Sequence, residues 1–150
     1  MKSNRITIRS AHESEIMEML SMLAEEGIYH NEELYVLLYE SYPDLMIVAE
    51  REGSLLGFVV GALSTEDSGR ILVLFVRRDY RGMGIGKRLL REVIRRMVTI
   101  YGVKEITLEV HEKNETAIKL YEEFGFRKVK KLHGYYDGED GWLMVKKIMP

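Results

Sequence analysis

Apolar positions recur along this chain at two different spacings, and each change of spacing marks a new element. Arg5–Ile8 reads as a short first strand. Ile16, Met19, Leu20 and Leu23 then recur at helical spacing, which predicts an amphipathic helix over 12–26. Ser10 and Glu13 have the Ser-x-x-Glu form of a capping box at its start, and Gly27 can end it. Leu34, Leu37 and Leu38 predict a second, shorter helix over 31–39, and Pro43-Asp44 punctuates. Strands over 45–50 and 55–63 flank the turn Arg51-Glu52-Gly53-Ser54. The run 71–76 is wholly apolar, the pattern of a strand buried on both faces. A polar loop over 77–84 feeds a long helix over 85–100. Its apolar face carries Leu89, Leu90, Val93, Ile94 and Met97, its polar face Arg88, Arg91, Glu92, Arg95 and Arg96, and Gly102 ends it. A strand over 105–110, a helix over 116–124 stopped by Gly125, and strands over 126–131 and 142–148 complete the chain. The order is β-α-α-β-β-β-α-β-α-β-β, a mixed α/β arrangement.

Composition narrows the chemistry. At 150 residues, with no repeat and no Ser/Gly-rich linker, the chain reads as one domain. Lys and Arg number 22 against 24 Asp and Glu, a net charge of −2, so nothing drives the whole molecule toward nucleic acid or an anionic membrane. An anionic ligand must be held locally. There is no cysteine, which excludes disulfides, thiolate metal sites and a cysteine nucleophile. His12, His30, His111 and His133 offer no close pair at metal-ligand spacing, so no metal site is expected. The apolar run 55–63 is broken by glycine and too short for a bilayer, and Met1–Arg9 lacks a signal-peptide core. These features predict a cytoplasmic protein, and the Glu/Lys/Arg-rich composition is compatible with a thermophile.

The sharpest local feature is Arg81-Gly82-Met83-Gly84-Ile85-Gly86-Lys87, between the apolar strand and the long helix. Glycines there let the backbone approach a ligand with several N–H groups pointing one way, and the helix start adds its positive dipole end. The loop is therefore read as a phosphate cradle. A P-loop requires G-x-x-x-x-G-K-[ST], and here Arg81 replaces the first glycine and Arg88 follows Lys87. A dinucleotide fingerprint requires G-x-G-x-x-G, and position 87 is Lys. The pattern R/Q-x-x-G-x-G/A is met in full by Arg81, Gly84 and Gly86.

That third pattern resembles the acetyl-CoA loop of the GNAT acetyltransferases. Leu108-Glu109-Val110, then Asn114, Ala117 and Leu120–Phe126, resemble the second half of that fold. The tail His133–Asp140, with Tyr135-Tyr136, is similar to the RimI type of N-terminal acetyltransferases. The resemblance is close over about residues 70–148. It implies a GNAT fold with a central, mostly antiparallel sheet flanked by helices, acetyl-CoA as donor and coenzyme A as product. It implies that Leu74, Phe75 and Val76 offer backbone groups to the pantetheine arm, while their side chains remain free to pack as core. Arg81, Gly82, Met83, Gly84, Ile85, Gly86 and Lys87 would cradle the pyrophosphate. Lys87, Arg88 and Arg91 either reach the 3′-phosphate end or form a solvated basic face.

The same resemblance supplies catalytic candidates, each with a structural alternative. Tyr121 is the candidate acid, since a phenol of pKa ~10 is protonated at neutral pH; its spacing with Ala117 and Phe124 also suits a core aromatic. Glu109 is the candidate base, on the strand face opposite Ile106, Leu108 and Val110; the alternative is a carboxylate on the rim. Asn114 is an N-cap, a cofactor contact, or both. Tyr135 and Tyr136 either grip a peptide backbone or cap the sheet edge, and Tyr29 lies in the stretch 25–31 that matches the family's first substrate loop. Direct attack by the acceptor amine in a ternary complex is expected, with sequential kinetics. An α-amine of pKa ~7.7–8.0 loses its proton far more readily than a lysine at ~10.4, which favours protein N-termini as acceptors. A small-molecule amine acceptor (polyamine, amino acid or antibiotic) and a non-catalytic acyl-CoA sensor are the alternatives. A monomer or homodimer is expected, with no nucleic-acid or membrane partner.

Overall fold

The computed structural model describes residues 5–149. The polar segment Met1–Asn4 and Pro150 lie outside the described residues. The elements are β1 (Thr7–Ser10), α1 (Ile16–Ala24), α2 (Glu32–Ser41), β2 (Met46–Arg51), β3 (Ser54–Thr65), β4 (Ser68–Val76), α3 (Ile85–Thr99), β5 (Glu105–His111), α4 (Glu115–Glu123), β6 (Arg127–Tyr136) and β7 (Glu139–Lys147). Their order is the one read from the sequence. The strands form one sheet, β1-β2-β3-β4-β5-β7-β6. Every pairing is antiparallel except β4 with β5, and a parallel pair needs a crossover of α3's length.

Two apolar layers sandwich the sheet. On one face the stripe Leu89, Leu90, Val93 and Met97 of α3 packs with Ile106, Leu108 and Val110 of β5 and with Ile118 and Tyr121 of α4. On the other, Ile16, Met19, Met22 and Leu23 of α1 and Tyr35 of α2 cover Phe58 and Phe75. Strand β2 alternates between them: Ile47 and Ala49 face α3, while Met46 and Val48 face α1. The helix α3 lies close because Gly61 and Gly69 have no side chain; a Cβ there would come within 2.6 Å and 2.7 Å of Met97. No helix among the described residues is long and apolar enough to cross a membrane.

Three local expectations are corrected. The cap of the first helix is His12 with Glu15, not Ser10 with Glu13: the Glu15 carboxylate accepts from the His12 N–H at 2.8 Å, over a short 3-10 turn, Glu13–Glu15. Strand β1 runs on to Ser10 because Ser10 pairs with Ile47, which leaves the Ser10 hydroxyl to accept from Arg96 at 2.7 Å. Arg96, on the polar face of α3, also donates from its guanidinium to the Asp44 carbonyl at 2.9 Å and ties α3 to β1 and to the turn before β2.

The third correction positions the site. Strand β4 is not buried on both faces, and Leu72 is 36% exposed. Val60 pairs with Val73 but Gly61 with Ile71, so Leu72 is an extra residue, a β-bulge. The bulge swaps the faces of the residues on either side of it: Ile71 shares a layer with Leu74 and Val76, while Val73 and Phe75 join the α1 side. Pairing with β5 stops at Ile71 opposite Leu108. Beyond that point the two strands diverge, and the β4 edge faces a gap.

Candidate active site

The α3 side of this gap is a groove of about 680 Å³. Its walls are Leu74 and Val76 of β4, Tyr80, Arg81, Gly82 and Gly84 of the loop, the first turn of α3, and Asn114, Ala117, Leu120 and Tyr121 at and along α4. Gly82 and Gly84 adopt φ of +80° and +84°, a left-handed backbone that strains other residues. Gly84 is the N-cap of α3 and provides no side chain for its free N–H groups, and the residues from Gly84 to Lys87 line the groove with the dipole of a 15-residue helix behind them. A Cβ on Gly86 would stand between Val76 and Leu120, on the groove floor.

The guanidinium of Arg81 is turned away from this cradle, although the residue itself lines the groove. Its Nε donates to the Val76 carbonyl at 2.8 Å, its guanidinium lies 5.5 Å from the centre of the Phe75 ring, and Nη2 donates at 2.8 Å to both carboxylate oxygens of Glu26, in the turn after α1. The side chain thus braces the glycine loop against the α1–α2 connection. Lys87 bridges to Glu123 at 3.1 Å across the mouth of the groove, joining α3 to α4. Asn114 caps α4, its side-chain oxygen accepting from the Ala117 N–H at 3.2 Å, and it also lines the groove. Of the residues singled out from sequence, Met83 is exposed and outside the lining, and the Phe75 side chain belongs to the opposite core, so only its backbone can face the gap.

Tyr121 sits at the inner end of the groove. Its ring packs edge-to-face on Phe126, 5.9 Å away, so it is both core and groove wall. Its hydroxyl has no hydrogen-bond partner among the described residues. Burial, with a smaller contribution from Tyr136, pushes its pKa up to about 12, so the phenol keeps its proton throughout the neutral range.

The opposite face of the gap carries Glu109. Strand β5 alternates, with Ile106, Leu108 and Val110 buried against α3 and Glu105, Thr107, Glu109 and His111 turned the other way. Arg70 of β4 pairs in register with Thr107 and reaches Glu109 with two bonds, Nη2 to Oε1 at 2.8 Å and Nε to Oε2 at 3.3 Å. Next to it, His111 stacks on Tyr136 at 5.2 Å between ring centres, and Tyr136 meets Tyr135 edge-on at 4.9 Å. Gly141 makes room for this: a Cβ there would come within 2.5 Å of the Tyr136 ring. The Lys113 N–H donates to His111 Nδ1 at 3.0 Å, leaving Nε2 to face Glu139 at 3.2 Å. The Asp140 carboxylate accepts from the Gly134 N–H at 2.9 Å and holds the hairpin that carries both tyrosines. Burial, then Tyr135 and Glu109, push the Tyr136 hydroxyl up to about 12, against the opposing pull of Arg70.

The fold therefore gathers Glu109, Tyr135 and Tyr136 on one side of the gap, and Leu74, Val76, Arg81, Gly82, Gly84, Ile85, Gly86, Lys87, Asn114 and Tyr121 on the other. Tyr29 stands apart, 80% exposed in the α1–α2 connection. The sequence assigns nothing to Arg70, and it does not show the contacts that His111 and Glu26 make here. Only the parallel β4–β5 register brings Arg70 to Glu109, and only the packing of α1 brings Glu26 to Arg81.

These features fit an acyl-CoA. The glycine loop and free helix N-terminus suit a pyrophosphate, the unpaired β4 edge suits an amide-bearing arm, and the groove leads to a protonated phenol. Comparison with known proteins agrees. Residues 14–126 match the model of the acetyltransferase (GNAT) family. A protein of Sulfurisphaera tokodaii named N-alpha-acetyltransferase is 30% identical, over 98% of this chain and 96% of its own. The spermine/spermidine N(1)-acetyltransferase of Bacillus subtilis is 34% identical, over 65% of this chain and 66% of its own. The crystal structure of Ard1 from Thermoplasma volcanium superposes with a TM-score of 0.88 at 26% identity, covering 97% of this chain and 99% of that one. The chain belongs to the GNAT acetyltransferase family.

Proposed function

We propose that this protein acetylates the α-amino group of protein N-termini, with acetyl-CoA as the donor. Supporting this most directly is the division of labour across the β4–β5 gap: a protonated phenol, Tyr121, on the donor side, and on the acceptor side a carboxylate, Glu109, beside the paired tyrosines Tyr135 and Tyr136.

Acetyl-CoA supplies an activated thioester carbonyl when bound. The N–H groups at Gly84 and the start of α3 hold its pyrophosphate, and the open edge of β4 past Ile71 aligns its arm. Glu109 takes the proton from the acceptor ammonium, so that the free amine attacks the thioester carbonyl as the C–N bond forms and the C–S bond breaks. Tyr121 gives its proton to the departing sulfur and recovers one from the nitrogen, which sheds its second proton as the amide forms. No side-chain nucleophile is required, and the chain has no cysteine to serve as one. Tyr135 and Tyr136 flank the acceptor entrance and hold the first peptide units.

Spermine is a poorer fit than a peptide. A polyamine carries several positive charges, and here Arg70 places a guanidinium directly beside Glu109. The test is acetylation of three panels with acetyl-CoA, mapped by mass spectrometry: peptides with free N-termini, N-blocked peptides containing lysine, and small amines. Acetyl on free N-termini alone is expected, with Glu109→Gln binding the donor but turning over at least about a hundredfold more slowly. Acetyl on small amines alone would overturn the acceptor assignment. Native turnover by Glu109→Gln would remove that carboxylate from the base role.

A further inference from the structure

Arg70 has no role in the reaction as described, yet it occupies the acceptor face. It is 40% exposed in its side chain against 17% for Glu109, and among the described residues Glu109 is its only ion-pair or hydrogen-bond partner. Both carboxylate oxygens of Glu109 are engaged by this one guanidinium. The other carboxylates nearby on that face are committed elsewhere: Glu105 to Lys147 and Ser68, and Glu139 to Lys113 and His111. The pair is therefore self-neutralised, and it is the group that an incoming ammonium must meet.

An acceptor that brings only an ammonium leaves three charges, two positive and one negative, in a partly desolvated cleft. An acceptor that brings an ammonium and a carboxylate together can exchange partners. Its ammonium takes Glu109, its carboxylate takes Arg70, and no charge is left unpaired. The planar fork of Arg matches a carboxylate with two parallel bonds, which the Arg70–Glu109 pair already demonstrates. Because the two head groups touch, the second charge of the acceptor must lie within a side chain's reach of its amine. Resting on the reading of the acceptor as a protein N-terminus, we infer that Arg70 is a specificity-determining residue that selects N-termini with Asp or Glu at the first or second position. Exchange of the ion pair also frees the Glu109 carboxylate to meet the amine, so recognition and activation use the same pair.

The experiment compares kcat/KM for free-N-terminal peptides that are identical except for Glu against Gln, or Asp against Asn, at positions 1 and 2. The native chain is expected to favour the acidic member by about tenfold or more at one of these positions, about 1.4 kcal/mol in transition-state binding. Arg70→Gln should bring that ratio close to one, chiefly by raising KM for the acidic peptide. Arg70→Lys, which keeps the charge but loses the fork, should retain part of the ratio. Acetyl-CoA affinity, measured by calorimetry, checks that each variant is folded, since Arg70 lies outside the donor groove. Equal kcat/KM within every native pair, or an acidic preference that survives in Arg70→Gln, would overturn the assignment of Arg70 while leaving N-terminal acetylation intact. Acetylation of small amines with no peptide of either kind modified would instead overturn the acceptor reading, and this inference with it.

Discussion

Replacing Tyr121 by Phe removes one oxygen from the inner end of the groove, and the structure sets what this should cost. The ring contact with Phe126 at 5.9 Å needs no hydroxyl, and the hydroxyl has no hydrogen-bond partner among the described residues. Stability should therefore change by less than about 0.5 kcal/mol, because no buried donor or acceptor loses a partner. Acetyl-CoA affinity should stay within about twofold. Turnover should fall about a hundredfold or more, the contribution of a positioned general acid, which is ~2.7 kcal/mol in activation free energy. The pKa near 12 adds a second expectation. A hydroxyl that keeps its proton well above pH 10 produces no descending limb in kcat between about pH 8 and pH 10. The assay is release of coenzyme A, read with a thiol reagent at saturating acetyl-CoA, across that pH range for both proteins. A variant with kcat within twofold of native, or a native descending limb below pH 10 that disappears in Tyr121→Phe, would refute this account of the acid.

Two further predictions concern the loop and the entry to α1. Gly84→Ala places a Cβ on a residue at φ +84°, where nothing within 4 Å obstructs it, so the cost is backbone strain of ~1–2 kcal/mol rather than a clash. The strain turns the N–H groups at the start of α3, and calorimetry should show acetyl-CoA binding weakened about tenfold; unchanged affinity would remove these groups from the donor site. Glu15 is held below the usual carboxylate range, first by its bond from Arg9 at 2.7 Å. A carboxylate depressed in the folded state stabilises the fold above its unfolded pKa of about 4.3, and that contribution is lost as pH falls through the folded value. Glu15→Gln, which can still accept from His12, should therefore cost about 1 kcal/mol in urea unfolding at pH 7 and much less at pH 3. An equal loss at both pH values would mean that packing, not charge, is what Glu15 contributes.

Reading a sequence succeeds where the physical cause lies within a few residues. The stripe of α3, the glycines of the phosphate loop and the Asn114 cap are local patterns, and each stands in the structure where the periodicity and spacing put it. Glu109 on the polar parity of β5 is likewise local, because a strand's side chains alternate whatever it pairs with. The first helix cap misled because strand pairing overrode it. Ser10 has the local chemistry of a cap, yet its pairing with Ile47 and the bond from Arg96 keep it in β1.

The chain alone determined the succession of elements, the loop chemistry and the residues able to donate or accept a proton. Only the tertiary structure decided where those residues meet. The bulge at Leu72 reverses the faces of the second half of β4, and the end of pairing at Ile71 opens the gap between Tyr121 and Glu109. The pair Arg70–Glu109 spans 39 positions and Arg81–Glu26 spans 55. Such pairs leave no trace in local periodicity, which records only what each residue's near neighbours along the chain require, whereas strand register and layer packing are settled by the whole sheet at once.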